Sequence, residues 1–283
     1  MRDRLYRVEA IVLKRSDFGE ADRLLTLYTP DLGKIRAIAK GARKPSSRKS
    51  GHVELFTHSA LLLAKGRHLD IVTQADTLDA FVPLRENLER LGLAYYLAEL
   101  VDRFVAEGDL SSQGESFADS DRDEARDGAS VENRPLFDLL LHALKWLGDD
   151  ATDPALLARY FELHLLQHVG YRPQLFNCVN CGTVLEPVDN YFSADAGGVI
   201  DPNCVTTQRD KLQEHARDLQ PLSLNALKVL RYLQTREWET VRALRLSADT
   251  HAEVETLTQR YVAHHLERNL KSVDFLRTLK QSA

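Results

Sequence analysis

The sequence predicts an α+β protein: an N-terminal OB-fold β-barrel followed by an α-helical domain with an embedded zinc-ribbon-like segment. Three observations predict it. Apolar residues alternate with a period of two through residues 1–80, then recur at three- and four-residue steps from Pro83 onward. Five strand-like runs fill that first part, with a long basic loop between the third and fourth, as in a small closed barrel. An SH3-like barrel fits the same pattern. Cys178-Val179-Asn180-Cys181 is then answered, further on, by Asp201-Pro202-Asn203-Cys204. The expected domains are 1–80 and 81–283, with an acidic insert at about 108–134 and a ribbon-like segment at 174–206.

The first strand is Tyr6 to Lys14, with Val8, Ala10 and Val12 on one face and Ile11 and Leu13 on the other. Arg23 to Thr29 is the second. Pro30-Asp31-Leu32-Gly33 supplies turn chemistry before the third, Lys34 to Lys40. There Ile35, Ala37 and Ala39 share one face, and Arg36, Ile38 and Lys40 the other. Val53 to Ala64 and His68 to Thr77 complete the barrel, joined at Lys65-Gly66-Arg67. Leu84 to Val105 reads as one long amphipathic helix. Gly108 to Arg134 has no periodicity and eight acidic residues, the composition of a loose segment. Helices resume at Pro135 to Leu147 and at Pro154 to Val169, the second opening on Thr152/Asp153 as caps. Beyond the cysteines, helices are expected over Leu219 to Gln234, briefly near Val241 to Leu246, and over Ala252 to Leu270.

Charge is placed unevenly. The chain carries a net −5, yet residues 1–80 hold 15 Lys and Arg against 10 Asp and Glu. Lys34 to Gly51 concentrates seven cations and no acid, running off a strand through Gly41 into a flexible Pro45-Ser46-Ser47 loop. Cations on a strand edge beside a mobile basic loop suit the tracking of a phosphate backbone. The candidate DNA contacts are Lys34, Arg36, Lys40, Arg43 and Lys44, then Lys14, Arg15, Arg48 and Lys49. About five neutralised phosphates on a single strand predict a log–log salt slope of roughly −3.5. Base stacking on Tyr6, Tyr28 or Phe56 competes with core packing for those rings.

The cysteine spacing, C-x2-C-x19-D-x2-C, is that of a zinc ribbon with one ligand changed. Zinc held by Cys178, Cys181, Asp201 and Cys204 is the metal reading; a ribbon held by packing alone is the other. His164 and His168 lie four apart on one helical face, without the glutamate of a metalloprotease helix, and read as a solvated or core-edge pair. No P-loop, nucleophile–base arrangement or paired-carboxylate motif is present, so a non-enzymatic role is expected. No apolar run reaches the roughly 18 residues of a membrane span, and the opening residues lack a signal-peptide core; a cytoplasmic, nucleoid-associated protein is expected.

Several blocks add a resemblance. They are Ala10-Ile11-Val12-Leu13; Gly19-Glu20-Ala21-Asp22-Arg23-Leu24-Leu25-Thr26-Leu27-Tyr28-Thr29; and Gly33-Lys34-Ile35-Arg36-Ala37-Ile38-Ala39-Lys40-Gly41-Ala42-Arg43. Glu54-Leu55-Phe56, Phe192-Ser193 with Gly197-Gly198, and the closing Leu266 to Ser272 with Phe275-Leu276 follow. In order and spacing, over almost the whole chain, they resemble the RecO family of bacterial recombination mediators. The resemblance implies binding of single- and double-stranded DNA and annealing of complementary strands. It also implies work with a RecR partner and single-strand-binding protein to load RecA. Asp201 stands where that pattern expects cysteine. The competing reading is a protein–protein adaptor whose helical domain does the work and whose barrel does not bind DNA.

Overall fold

The computed structural model describes residues 4–107, 125–207, 218–266, 270 and 272. Most of the expected acidic insert, 108–124, lies outside the described residues, as does most of the closing segment after Leu270. The chain forms two compact units divided between Asp150 and Ala151, with Ser272 belonging to the first.

The first unit opens with the barrel. Its strands are β1 (Leu5–Phe18), β2 (Asp22–Thr29), β3 (Gly33–Ala39), β4 (His58–Ala64) and β5 (Asp70–Asp79). They pair in the order β1-β2-β3-β5-β4, and β4 returns to β1, which closes the sheet as an OB-fold does. One strand serves two neighbours because β1 is 14 residues long: its first half pairs with β4 and its second with β2, across an irregularity at Val12/Lys14. The alternation read from the sequence sets the interior. Val8, Ala10, Val12, Leu25, Leu27, Ile35, Ala37 and Ala39 all enter the core, with alanines leaving room for the larger side chains opposite. The fourth strand is shorter than expected, since Val53 ends a 3₁₀ turn (Gly51–Val53) instead of starting β4.

The long helix expected after the barrel is two: α1 (Val82–Arg85) and α2 (Leu88–Phe104). Asn87 breaks them by capping α2, its side chain accepting from the Arg90 N–H. Helix α3 (Ala125–Leu147) starts ten residues before Pro135, inside the segment read as loose, and contains that proline. Buried Arg90 of α2 donates to the Leu147 and Asp149 carbonyls, satisfying the end of α3.

In the second unit, α4 (Pro154–His168) begins on Asp153, which accepts from the Ala155 and Leu156 N–H groups as the sequence predicted. It packs with α6 (Leu224–Thr235) and α8 (Ala248–Leu266). The ribbon sheet is β7 (Gly198–Ile200), β6 (Asn190–Ser193) and β8 (Gln220–Leu222) in that order, with α5 (Pro202–Thr207) after β7. The helix expected from Leu219 starts later because Gln220–Leu222 pairs with β6 and Ser223 then caps α6. The short helix expected near Val241 to Leu246 lies earlier, as α7 (Trp238–Val241), and residues 242–246 are not helical. Gly198 permits the close approach of the cysteine segment: a Cβ there would sit 2.4 Å from the Gln174 carbonyl oxygen.

Candidate nucleic-acid interface and cysteine cluster

The outer face of the barrel presents residues in rows set by strand register. Lys14 stands opposite Thr26, and Thr26 opposite Arg36, so the two cations share a face two strands apart, about 10 Å. One row further, Tyr28 stands opposite Lys34. That row is covered: Tyr28 packs on Phe137 and its hydroxyl donates to the Asn133 carbonyl. Lys34 is buried at 7% exposure, and its ammonium donates to the Asp102 carbonyl and pairs with the Asp102 carboxylate at 3.3 Å. The expectation that Lys34 contacts phosphate is therefore corrected, because its charge is neutralised inside the fold by α2.

The other eight expected contacts divide by their partners. Lys14, Lys40, Lys44 and Arg48 are exposed and form no ion pair or side-chain hydrogen bond with any described residue. Arg36 is half-exposed, 3.8 Å from Glu107, and Arg43 lies 3.3 Å from Asp17. Arg15 shares Glu54 with Arg23. The Lys49 ammonium donates to the Val72 carbonyl, and burial lowers its pKa. The loop is not the free tether that its Pro-Ser-Ser composition predicted. The Gly41 N–H donates to Asp22, the Arg43 N–H to the Ala21 carbonyl, and successive turns continue to His52. Ala42 and Val53 anchor it in the barrel core, so its free cations project from a fixed base.

The sequence reading passed over a second basic element. Ala37 pairs with Asp70, so one residue back along both strands Arg36 stands beside the turn 65–69. Lys65, Arg67 and His68 are exposed on that turn, which Asp70 holds by accepting from the Gly66 N–H. The dense basic character of Lys65-Gly66-Arg67-His68 was the available signal. Of the three aromatic rings considered for stacking, Tyr28 and Phe56 are buried, and the half-buried Tyr6 donates its hydroxyl to Asp70. Burial leaves neither Tyr28 nor Phe56 a free face for a base.

Cys178, Cys181 and Cys204 come together in the second unit, their sulfurs all within 4.8 Å of one another. Cys178 and Cys204 are buried and Cys181 is exposed. Gly182, at φ 76°, turns the first knuckle so that its N–H donates to the Cys178 carbonyl. A hydrogen bond with Thr183 draws the Cys181 thiol down to about 7, while burial pushes Cys204 up to about 11. Bound metal would deprotonate both. The donors fit zinc: sulfurs about 2.3 Å from a tetrahedral centre lie about 3.8 Å apart, and Cys178 Sγ and Cys204 Sγ are 3.7 Å apart. Zinc there would tie the first knuckle to Cys204 on α5 as a structural link.

Asp201 is not among the gathered ligands. Its Oδ1 accepts from the Asn203 N–H at 2.7 Å, at the start of α5. Its own N–H donates to Cys178 Sγ at 3.3 Å. The expected four-ligand set is thus three thiols, with Asp201 serving the knuckle through its backbone. Elsewhere, His164 sits at the edge of the core, its Nε2 3.0 Å from the Leu233 carbonyl, and burial lowers its pKa. Among the described residues no helix is long and apolar enough to cross a membrane.

Comparison with known proteins places these features in context. Residues 1–81 match the family described as Recombination protein O N terminal, and residues 130–274 match Recombination protein O C terminal. The chain is 47% identical over 281 residues to a DNA repair protein RecO of Roseiflexus sp. (strain RS-1), covering 99% of this chain and 88% of that one. It is 35% identical to a protein of the same name from Dehalococcoides mccartyi (strain ATCC BAA-2266 / KCTC 15142 / 195), covering 98% and 97%. A further relative so named, from Pelotomaculum thermopropionicum, is 35% identical over 96% of this chain and 94% of its own.

Proposed function

Because the chain belongs to the RecO family of DNA repair proteins, we propose that it is a non-enzymatic DNA-binding recombination mediator of the nucleoid. It binds single- and double-stranded DNA through the barrel and anneals complementary strands. With a RecR partner it helps load recombinase onto strands coated by single-strand-binding protein. Residues 1–80 act as the DNA-binding domain. Residues 81–283 act as the helical domain, braced by a structural zinc on Cys178, Cys181 and Cys204.

The observation that carries this reading is the row of exposed cations across the barrel. Lys14 and Arg36 lie on the strands, Lys40, Arg43, Lys44 and Arg48 on the anchored loop, and Lys65 and Arg67 on the neighbouring turn. Two strands approach each other against mutual phosphate repulsion. Cations that neutralise phosphates on both lower that barrier and raise the local strand concentration. Carboxylates beside Arg36 and Arg43 exchange for phosphate at little cost, since Glu107 and Asp17 are themselves largely exposed.

Fluorescence anisotropy on labelled single- and double-stranded oligonucleotides across a salt series tests the reading. Binding to both, with a single-strand log–log slope of about −3.5 for five contacts, is the expected result. No binding at low salt would overturn it in favour of a protein adaptor.

A further inference from the structure

We propose that Leu24, Ile38 and Ile71 form an aliphatic row on the outer face of the barrel, and that the unstacked bases of a single DNA strand lie on it. The barrel then holds a single strand by its base faces as well as by its phosphates. This rests on the reading that the barrel binds DNA, and it concerns what distinguishes a single strand from a duplex there.

Strand register places the row. Leu24 pairs with Ile38 across β2 and β3, and Ile38 pairs with Ile71 across β3 and β5. The row runs on through Ala64 of β4 to Leu5 of β1. Directly paired residues share a face of the sheet. The chain neighbours Leu25, Ala37, Ala39 and Val72 enter the core, so the pleat turns Leu24, Ile38 and Ile71 outward. All three are half-buried, and Leu5 at the far end is 51% exposed. The row that the helices cover, Tyr28 with Lys34, lies four residues along the strands, about 13 Å away.

Charge decides what fits over it. Two residues to one side on the same face are Lys14 and Arg36, aligned through Thr26, and beyond Arg36 comes the basic turn 65–69. Two residues to the other side are Lys40, just past β3, and Arg7 of β1. Asp22 on that side is engaged by the Gly41 N–H. An apolar row between two lines of cations complements a polymer with anionic phosphates and apolar base faces, which is a single strand. A duplex keeps its base faces stacked inside and presents only phosphates and groove edges. The cations therefore serve both forms, and the aliphatic row serves the single strand alone.

Two variants of the full-length protein test this by anisotropy on single- and double-stranded oligonucleotides of equal length, across a salt series. Ile38→Thr with Ile71→Thr keeps β-branched side chains suited to strands and removes the aliphatic faces. Single-strand affinity should fall about tenfold, with duplex affinity and the single-strand salt slope unchanged. Ile38→Tyr supplies a ring in place of an aliphatic face and should tighten single-strand binding several-fold while leaving duplex binding alone. Equal losses on both substrates in the threonine variant overturn the proposal, because the row would then only support the cations. Binding of both substrates unaltered in both variants overturns it too, and leaves the row to a protein surface. A parent protein that binds neither substrate at low salt overturns the DNA-binding reading itself.

Discussion

Strand β3 with the residue after it and the second cysteine knuckle each carry charged residues that their spacing nominates for a ligand, and the fold diverts one in each. Along β3, Lys34 is consumed by Asp102, Arg36 is shared with Glu107, and Lys40 just beyond the strand remains free among the described residues. In the knuckle, Asp201 is consumed by Asn203, two residues away. The difference lies in where the competitor comes from. Lys34 is claimed by a helix 68 residues later in the chain, which no local pattern reveals. Asp201 is claimed by its immediate neighbours, and the Asp-Pro pair that announces the cap stands in the sequence.

The same distinction sorts what the sequence made legible. Interior positions of β1 to β3 followed from two-residue alternation, because each strand's pleat alone sets which side chains face the core. Asp153 and Pro154 announced the start of α4 for an equally local reason. Of the four donors nominated by the spacing, Cys178, Cys181 and Cys204 do come together, because the knuckle and the start of α5 meet at β7. The loop after β3 was misread as mobile, because its anchors are tertiary: Asp22 on Gly41, and Ala42 and Val53 in the core. The turn 65–69 escaped notice because its place beside Arg36 depends on the β3–β5 pairing. Net charge along a chain therefore overstates the charge available to a ligand wherever later elements supply the countercharge.

The largest expected effect sharpens the barrel side of the comparison. Lys40, Lys44 and Arg48 are exposed, and no described residue competes for their charge. On the proposed reading, replacing all three by glutamine removes three phosphate contacts. The single-strand slope should flatten by about 2, with affinity falling roughly 50-fold at 0.15 M salt. An unchanged slope would mean that the loop, though basic and exposed, is not the interface, and the turn 65–69 would be the next element to neutralise.

Lys34→Met should separate stability from binding. Its ammonium is held by α2, so the variant leaves the salt slope where it was. It loses a buried hydrogen bond and an ion pair whose carboxylate partner is 27% exposed. Water can take up that carboxylate, which limits the cost to about 1–2 kcal/mol. For a unit of this size that is roughly 3–6 °C in Tm. A slope reduced by about 0.7 with an unchanged Tm would instead make Lys34 a phosphate ligand and erase the contrast with Asp201.

The smallest effect addresses the knuckle itself, and its sign separates the two roles of Asp201. A cap is replaceable by any short side chain that accepts a hydrogen bond, whereas an anionic ligand is not. As a cap, Asp201→Ala costs about 1 kcal/mol, while Asp201→Asn costs only a few tenths, because the amide oxygen still accepts from the Asn203 N–H. Both should hold zinc with the affinity of the parent, measured by competition with a chromogenic chelator. A ligand role reverses the pattern: alanine and asparagine would lose zinc affinity together, and the asparagine variant would gain nothing from its intact cap. The three thiols would then be an incomplete set that closes only when Asp201 abandons α5. A neighbour two residues away would no longer outcompete a metal, and the local competitor would have to rank below the distant one that neutralises Lys34.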